Sequence, residues 1–299
     1  MSKVSIVIPC YNAEKFIDKT IRSVLNQSYK SIEIIIIDDC SKDRTYEILE
    51  GFNKKYSFIK IFKNNINRGV SYSRNIGLQN VSEESEFVYF FDADDIMLPH
   101  NIEMKVKLLV NTNENVGGVF SPALMIDEND NIISKNFVGD GIDGNILNEL
   151  LLWKQMHAPS LVLFKKRVFD IIGNWNEKLS TAADQELLFR VSKYFEILKV
   201  DEPLVLYRVH NNNMSKSLSL FEKEHLEVYK IAKQNGLFCN KKIESKAFTN
   251  LYLILAFSYK NNINKFLYYM FKALNTNFFE FVMLTIKRLF QKIKTLFKT

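Results

Sequence analysis

The segment from Phe87 to Asp95 constrains this 299-residue chain more than any other part of its sequence. Its first five residues, Phe87 to Phe91, are all apolar or aromatic, which predicts a strand buried on both faces, as in a parallel sheet covered by helices. The carboxylates of Asp92, Asp94 and Asp95 follow at once. Because like charges this close raise one another's pKa, the cluster needs a compensating cation or several hydrogen-bond donors.

An Asp-x-Asp pair at the end of a buried strand indicates a divalent cation site. Mg²⁺ and Mn²⁺ take one or two protein carboxylates and fill their remaining positions with water and substrate phosphates. Asp92 and Asp94 present two carboxylates in that arrangement. The alternative is an acidic turn that caps the helix expected after Pro99, but the hydrophobic run in front favours the cation site.

The composition is that of a globular protein, with 47% hydrophobic and 25% charged residues. The length suits one large α/β domain with an extension, or two domains. The three cysteines are odd in number and far apart, which predicts neither a disulfide framework nor a zinc site and fits a reducing compartment. No signal-peptide core opens the sequence, and no apolar run approaches the roughly 20 residues that span a bilayer. We therefore expect a cytoplasmic protein.

The first hundred residues alternate short apolar strands with segments of helical period. The strands are predicted at residues 4–9, 32–37, 59–62 and 87–91. This alternation predicts βαβ units and a mainly parallel sheet, whose ligands bind beyond the carboxyl ends of the strands near a switch point. Polar residues stand at all four of those ends: 9–12, 38–39, 64–68 and 92–95.

Five segments, in this order, resemble the successive signatures of the family 2 glycosyltransferases: residues 5–14 (SIVIPCYNAE), 23–28 (SVLNQS), 36–43 (IIDDCSKD), 67–77 (NRGVSYSRNIG) and 92–95 (DADD). The resemblance extends from Val4 to about Ser215. It implies an inverting enzyme of the GT-A fold, an α/β fold for nucleotide-diphospho-sugar transferases. It also implies a nucleotide-sugar donor, most often a UDP-sugar, with Mn²⁺ or Mg²⁺ on the diphosphate.

The resemblance assigns the uridine side of the donor to the first two strand ends. Pro9 and Tyr11 would line the base pocket with Asn12 beside them, and Asp39 would bind the uracil edge with Asp38 alongside. An aspartate accepts the imide N–H of uracil and discriminates against a base that lacks it. The alternative for the two aspartates is a cap of the following helix.

The rest of the donor site is assigned to the third and fourth strand ends. Arg74 resembles the arginine of the family's Arg-Asn-x-Gly segment and is expected near the nucleotide, as is Asn67 at the head of the same motif. Asp92, followed by Ala93, would contact the ribose or the metal's water. Asp94 would ligate the metal.

Residues 182–188 (AADQELL) resemble the family's Glu-Asp-x-Glu-Leu segment, whose aspartate is the catalytic base. That position is Asp184, which without the resemblance would be an acid at a helix N-terminus. The preceding glutamate of the family is Ala183 here, which removes one acidic contact on the acceptor side. Glu186 and His157 are expected to face the acceptor. An inverting transfer needs one such carboxylate to deprotonate the acceptor hydroxyl, and it forms no covalent intermediate.

Residues 207–210 (YRVH) resemble the family's Tyr-Arg-x-His segment. His210 is expected to be a further metal or diphosphate contact, and Arg208 to steady the phosphates or the base. A lone histidine after a strand is otherwise usually a surface residue.

The domain boundary is predicted near residue 215, where the family-like segments end and amphipathic helical patterns begin. We expect a GT-A domain at 1–215, with a nucleotide-binding half (1–100) and an acceptor half (101–215), and a helical extension at 216–299. Helices are predicted at 218–235, 242–259, 264–274 and 278–297. Segment 278–298 is amphipathic, with five basic residues against Glu280 alone, so it can lie on an anionic membrane at the inner face of the plasma membrane. The alternatives are docking on the domain or pairing in a homodimer.

Together these patterns predict an inverting, metal-dependent hexosyl- or N-acetylhexosaminyltransferase. It would move a sugar from a UDP-sugar to a hydroxyl of a glycan or lipid-linked glycan in bacterial surface polysaccharide or lipooligosaccharide biosynthesis. One alternative is a nucleotidyltransferase, which should carry a Gly-rich basic loop after the first strand where this chain has residues 9–12 (PCYN). The other is an inactive glycan-binding or scaffold relative. No basic-aromatic groove pattern appears outside the C-terminal tail, so no nucleic-acid partner is expected.

Overall fold

The computed structural model of the protein describes residues 1–134, 137–155, 158–210 and 217–296, with side chains as far as Lys287 in the last helix. The chain forms two compact units. One contains Met1–Ile146 and Gln155–Met214, and the other contains Leu147–Lys154 and Ser215–Thr299. Each has its own buried apolar residues.

The elements of the described residues, in chain order, are β1 (Lys3–Cys10), α1 (Ile17–Leu25), β2 (Ile32–Asp38), α2 (Thr45–Lys55), β3 (Ile59–Lys63), α3 (Val70–Gln79), β4 (Ser85–Phe90), β5 (Ile96–Met97), α4 (Asn101–Leu109), β6 (Val116–Phe120), β7 (Ala123–Ile126), α5 (Leu147–Leu151), a 3₁₀ turn (Pro159–Leu161), β8 (Val162–Lys165), α6 (Val168–Ile172), α7 (Ala183–Tyr194), β9 (Glu196–Lys199), β10 (Val205–Arg208), α8 (Leu218–Gln234), α9 (Lys241–Ser258), α10 (Ile263–Thr276) and α11 (Phe278–Leu296).

The first unit is built on a seven-stranded sheet with the order β3-β2-β1-β4-β8-β6-β9. The strands pair in parallel except β8, which is antiparallel to both β4 and β6. The mainly parallel sheet predicted from the sequence is therefore confirmed. Chain order reverses direction between β1 and β4, so the crevice beyond these two strand ends is the switch point at which such sheets bind ligands.

Close packing of α3 on the sheet fixes the height of this helix above the strand ends. A Cβ on Gly77 would lie 2.2 Å from Val7 Cγ1 and 2.9 Å from Ile37 Cδ1, so only glycine lets α3 approach β1 and β2 this closely. Val7 and Ile37 are both fully buried, so the contact between α3 and the sheet is apolar. Arg74, on the same helix, is thereby held near the strand ends.

A second, three-stranded sheet has the order β5-β10-β7, with β10 antiparallel to β5 and parallel to β7. The sequence did not predict it, because β5 contains only two residues. Residues 126–132 form a tight acidic turn, in which Asp127 N donates to Asn131 O at 2.9 Å and Ile126 bridges Ile132. This small sheet carries β10 to the loop that follows β4.

The second unit consists of α8 to α11 together with α5 and the residues after it. All four predicted C-terminal helices are present. The ring of Trp153 lies 5.1 Å from that of His225 and 6.5 Å from that of Tyr229, and the Tyr229 hydroxyl donates to Leu151 O at 2.5 Å. These contacts join residues 147–154 to the helical unit. Within the described ranges, no helix has the length and apolar character required to cross a bilayer.

Candidate active site

The loop that carries the acidic cluster is fixed through its backbone. Asp92 N donates to Ser160 Oγ at 2.9 Å. From the other side the buried Thr20 hydroxyl donates to the carbonyl oxygens of Ala93 (2.9 Å) and Asp95 (2.8 Å). Because the main chain is held at three points, the carboxylates project from a fixed frame.

Arg74 pairs with the first carboxylate. Its Nη2 donates to Asp92 Oδ1 at 2.8 Å, and its guanidinium lies 4.5 Å from the centroid of the Trp175 ring. The Arg74 side chain is buried. Asn75 exchanges hydrogen bonds with the Trp175 backbone (2.8 and 3.0 Å) and so holds the aromatic platform in place. The Arg74 position predicted near the nucleotide is therefore at the β4 end, beside Asp92.

Burial raises the pKa of Asp92, Arg74 lowers it, and the Asp94 charge raises it again, with a net shift upward. One arginine therefore does not fully offset the acidic cluster. Arg74 Nε is buried without a hydrogen-bond partner among the described residues. A further positive charge next to Asp92 would therefore stabilise the ionised form of these carboxylates.

Asp94 is paired with the histidine of the Tyr-Arg-x-His segment. His210 Nε2 lies 2.8 Å from Asp94 Oδ2, and the His210 ring packs 5.0 Å from that of Phe16. The main chain of β10 is tied to the same loop, since Arg208 N donates to Asp95 Oδ1 at 2.9 Å. The sequence-predicted metal residues Asp94 and His210 are thus brought together.

Arg208 is fully buried, and its guanidinium bonds to groups of the protein itself. Its Nε donates to Asp94 O at 2.7 Å, and its Nη1 donates to Asp127 O at 2.8 Å and lies 2.6 Å from Asp130 Oδ1. Asp130 also pairs with Lys19. The guanidinium therefore braces the Asp94 loop against the acidic turn, and a direct contact between Arg208 and a donor stays a prediction.

The chemistry of the donor set fits a cation that substrate phosphates complete. Within the described residues no group of three or more His, Cys, Asp or Glu side chains is arranged to hold a metal unaided. Asp94 and His210 are the two paired side chains that could supply ligands, and Mg²⁺ and Mn²⁺ take few protein ligands and leave their remaining positions to water and substrate phosphates. Among the described residues Asp95 Oδ2 is buried without a hydrogen-bond partner, and burial together with the charges of Asp94 and Asp92 raises the pKa of Asp95 well above its usual range.

Asp39 organises the loop after β3. Its Oδ1 accepts from Asn64 Nδ2 (2.7 Å) and Arg68 N (2.9 Å), and its Oδ2 accepts from Gly69 N (2.8 Å). Asp38, fully buried, accepts from Ser41 N at 3.2 Å, which is the local capping role weighed as the alternative. Three of the four acceptor positions of the Asp39 carboxylate are therefore filled from within the protein.

The remaining predicted donor residues lie around the first and third strand ends. Pro9 is buried in β1, whereas the Tyr11 side chain is 47% exposed. Asn12 takes a left-handed backbone (φ 49°) and its Oδ1 accepts from Lys42 N at 2.8 Å, joining the loops after β1 and β2. Asn67 is exposed on the loop bound by Asp39. Tyr11 and Asn67 are free to meet a ligand from solvent.

Asp184 stands in the first turn of α7 and is half-buried. Burial raises its pKa to about 6, although the Gln185 N–H (2.8 Å from Oδ1) and Arg74 lower it and Asp92 raises it. Arg74 and Asp92 both influence the pKa of Asp184, and a position of Asp184 beside the Asp-x-Asp pair stays a prediction. A carboxylate whose pKa lies near neutrality suits a general base.

Of the two residues expected on the acceptor side, the structure describes Glu186 and not His157. Both oxygens of the buried Glu186 accept from Arg190 at 2.8 Å, and Arg190 Nη2 also donates to Asn174 O at 2.9 Å. Glu186 thus stabilises the loop before α7, and its contact with an acceptor stays a prediction. His157 lies outside the described residues.

Tyr207 is a site residue that the sequence did not single out. Burial, followed by the charges of Asp95, Asp92, Asp94 and Asp184, raises the pKa of its phenol, so this hydroxyl stays protonated in the field of the acidic cluster. The available signal was its place at the head of the Tyr-Arg-x-His segment. Ser160 and Trp175 were also missed, because their roles depend on contacts across 68 and 100 residues.

Comparison with known proteins agrees with this arrangement. Residues 5–173 match the family described as Glycosyl transferase family 2. An uncharacterized glycosyltransferase of Haemophilus influenzae is 31% identical over 241 residues, which cover 78% of this chain and 73% of the relative. A Campylobacter jejuni protein named GalNAc(5)-diNAcBac-PP-undecaprenol beta-1,3-glucosyltransferase is 32% identical over 173 residues, or 57% of this chain and 54% of the relative.

Solved structures resemble the fold at low sequence identity. Residues 1–349 of S. aureus TarS in complex with UDP-GlcNAc give a TM-score of 0.68 at 18% identity, covering 92% of this chain and 81% of that one. The mannosyltransferase PcManGT of Pyrobaculum calidifontis, in complex with GDP-Man and Mn²⁺, gives 0.64 at 15% identity, covering 97% and 80%. The predicted GT-A fold is confirmed. The relatives named here are glycosyltransferases, and none of them is a nucleotidyltransferase.

Proposed function

Because the chain belongs to glycosyl transferase family 2, we propose that it moves a sugar from a UDP-sugar to a hydroxyl of a glycan acceptor, with inversion at the anomeric carbon. One observation carries the proposal: at the carboxyl end of β4, Arg74 pairs with Asp92 at 2.8 Å and His210 pairs with Asp94 at 2.8 Å. This cluster supports the donor side of the transfer, and Asp184, whose pKa is raised to about 6, is proposed as the base that an inverting transfer also requires.

Asp184 is the proposed general base. With a pKa of about 6 its carboxylate is about nine-tenths ionised at pH 7 and is more basic than an ordinary aspartate. It takes the proton of the acceptor hydroxyl while that oxygen attacks the anomeric carbon opposite the leaving nucleoside diphosphate. The proton resides on Asp184 until it is lost to solvent. No residue forms a covalent bond to the sugar.

The leaving diphosphate is held at Asp92 and Asp94. We propose that Asp94 and His210, with Asp92 beside them, hold Mn²⁺ or Mg²⁺. When bound, this cation offsets the negative charge that develops on the diphosphate. Arg74 favours the ionised form of Asp92 and orients its carboxylate through the bond at 2.8 Å. Arg208 contributes indirectly, since it fixes the Asp94 carbonyl at 2.7 Å.

The uridine half is proposed to lie against Asp39 and Tyr11, with Pro9, Asn12 and Asp38 supporting the two loops. Asp39 retains one acceptor position on Oδ2, which suits the imide N–H of uracil. Tyr11, 47% exposed, offers a ring on which a base can stack. UDP is therefore proposed over GDP.

The proposed acceptor is a lipid-linked or surface glycan of bacterial envelope biosynthesis. Support comes from the Campylobacter jejuni relative, whose name describes a glucosyltransferase acting on an undecaprenol-linked glycan. The sugar is proposed to be a hexose or N-acetylhexosamine. An enzyme with such an acceptor would work at the inner surface of the plasma membrane.

The test is calorimetric titration with UDP, with and without Mn²⁺, on the wild type and on Asp94→Ala. Metal-dependent binding that the substitution removes is expected, with GDP binding at least tenfold more weakly. Exposed Asp201, 92% accessible in its side chain, provides the control variant Asp201→Ala, which should bind UDP as the wild type does.

Catalysis is tested separately with Asp184→Asn. This variant should still bind UDP and Mn²⁺ but should lose UDP-sugar hydrolysis and transfer by a factor of about a thousand or more. If the wild type binds UDP yet neither hydrolyses nor transfers any UDP-sugar, the inactive glycan-binding alternative takes over. If UDP does not bind with or without metal, the uridine assignment is wrong.

A further inference from the structure

The outer face of α10 carries a row of exposed apolar side chains. Ile263, Leu267 and Phe271 are 63%, 56% and 64% exposed. Their spacing of four residues places them above one another on one face of the helix. Tyr268, 52% exposed, lies beside this row.

The following helix repeats the feature. Phe279, Met283 and Ile286 in α11 are 81%, 65% and 44% exposed, with spacings of four and three residues. Phe278 adjoins them with 59% of its side chain accessible. Two consecutive helices thus present large apolar side chains to solvent, and contiguous patches of this kind mark interaction surfaces.

The two helices are attached to the unit by other residues than those of the exposed rows: α10 has a separate buried face, and α11 is joined to α9 through the ion pair of Glu280 with Lys246. In α10, Tyr269 and Ala273 are buried, and the Tyr269 ring stacks on those of Tyr252 and Tyr259 at 6.2 and 6.5 Å. Before α11, Asn277 Nδ2 donates to Ser245 Oγ of α9 at 3.1 Å. The outer rows can therefore serve a partner without cost to the fold.

Charge identifies the kind of partner. Glu280 is the one acidic residue in the sequence of 259–299, and it is paired with Lys246 at 2.9 Å. The basic residues of the same segment are Lys260, Lys265, Lys272, Lys287, Arg288, Lys292, Lys294 and Lys298. Lys265 is balanced by Glu222, and the segment as a whole remains strongly positive.

A second copy of this chain fits such a surface poorly. A two-fold interface would set the same basic segment against itself, and like charges across an interface oppose association. An anionic bilayer is complementary in both respects, since its headgroups attract lysine and its interfacial region accepts Phe, Tyr, Met and Leu side chains.

We propose that the exposed rows of α10 and α11 form a docking surface for an anionic membrane. The apolar side chains insert at the headgroup boundary, and the exposed lysines Lys260 and Lys287 contact lipid phosphates. The surface extends beyond the amphipathic tail to α10, whose row the sequence did not reveal. This docking does not depend on the donor assignment, because lipid binding requires neither nucleotide nor metal.

The test is co-sedimentation of the full chain with vesicles, without donor or metal. Vesicles of phosphatidylcholine with phosphatidylglycerol are expected to bind at least tenfold more protein than phosphatidylcholine alone, and high salt should reduce the difference. Leu267→Glu/Phe271→Glu and Phe279→Glu/Met283→Glu should each lower vesicle binding tenfold or more. Circular dichroism and the thermal midpoint verify that the variants fold.

Two further variants make the result specific. Ile171→Glu, at an exposed apolar site of the first unit (56% accessible), should bind vesicles as the wild type does. Lys260→Glu/Lys287→Glu should weaken binding at low salt more than at high salt. Absence of vesicle binding by the wild type, or unchanged binding by the α10 variant, would overturn the proposal for that surface. So would a dimer in light scattering that the same substitutions dissociate, since a second copy would then be the occupant.

Discussion

Asp94 Oδ2 lies 2.8 Å from His210 Nε2, although 116 residues separate the two in the chain. The pairing of β10 with β5 and β7 accounts for the contact, because it carries the end of β10 to the loop after β4. The pair is the part of the acidic cluster best suited to a cation, since Asp92 is already engaged by Arg74. We therefore expect the affinity for nucleotide in the presence of metal to depend on both side chains of this pair.

His210→Gln is expected to weaken Mn²⁺-dependent UDP binding by about tenfold or more, because loss of the imidazole removes one of two proposed ligands. Titration calorimetry with UDP at fixed Mn²⁺ measures the effect. His100→Gln is the matched control, as His100 is 68% exposed in its side chain and contacts Glu103 on the surface. Equal losses in the two variants, or none in either, would exclude His210 as a ligand.

The sequence located the strand ends of the site because apolar runs and the polar residues after them are local signals. The contacts of Arg208 could not be predicted from such local signals. Its motif suggested a phosphate contact, but its guanidinium bonds to the carbonyl oxygens of Asp94 and Asp127. That arrangement depends on a turn about 80 residues earlier in the chain meeting the loop after β4, and no local pattern encodes it.

Residues 147–154 illustrate the same limit. Their short helical pattern gave no indication that Trp153 packs with His225 and Tyr229 in the second unit. The packing of Trp153 against His225 and Tyr229 is a contact between segments far apart in the chain. The periodicity of apolar residues within one short segment cannot predict such a contact.

Arg74→Met should shift the acid limb of the pH profile of kcat/KM upward. Arg74 lowers the pKa of Asp184, which stands at about 6, so its removal raises that pKa and reduces the fraction of ionised base at a given pH. The profile of transfer or UDP-sugar hydrolysis between about pH 5 and pH 8 measures the shift. A loss of rate that is uniform across this range would mean that Arg74 affects donor binding alone.

Arg22→Met is the control for this experiment. Arg22 is 62% exposed in its side chain and pairs with Asp18 on α1, so its substitution should leave both the limb and the rate unchanged. Arg74→Lys retains the charge without the planar stacking on Trp175 and should give an intermediate shift.

Glu33→Gln should remove an acid-dependent part of the stability of the first unit. Burial raises the pKa of Glu33, but hydrogen bonds from Ser5, Ser82 and Lys60 outweigh burial and lower it to about 2 from 4.5. A carboxylate with a depressed pKa stabilises the fold above its unfolded pKa, and this contribution, roughly 3 kcal/mol, is lost as pH falls from about 4.5 to 2.

Thermal midpoints between about pH 7 and pH 3 test the prediction. The wild type should lose stability steeply below about pH 4.5, whereas Glu33→Gln should start lower and change less with pH. Glu50→Gln, at an exposed position of α2, should follow the wild type. Parallel curves for the wild type and Glu33→Gln would contradict the assigned pKa.

Lys105→Met tests the buried lysine below the site. Lys105 Nζ donates to Tyr89 Oη at 2.6 Å and to Leu161 O at 2.8 Å, no carboxylate of the described residues accepts a hydrogen bond from it, and burial lowers its pKa well below 10.5. Because the unfolded chain binds this proton more readily, the stability of the wild type should rise with pH until the pH approaches 10.5. Lys105→Met should lack that rise and be at least as stable as the wild type at pH 7, since an apolar side chain of similar length removes the buried charge.

Urea denaturation at neutral pH and near pH 9.5 measures how the free energy of unfolding changes with pH in the wild type and in Lys105→Met, with the exposed Lys107→Met as control. Equal pH dependence in the wild type and Lys105→Met would show that the lysine keeps its proton in the folded protein as readily as in water.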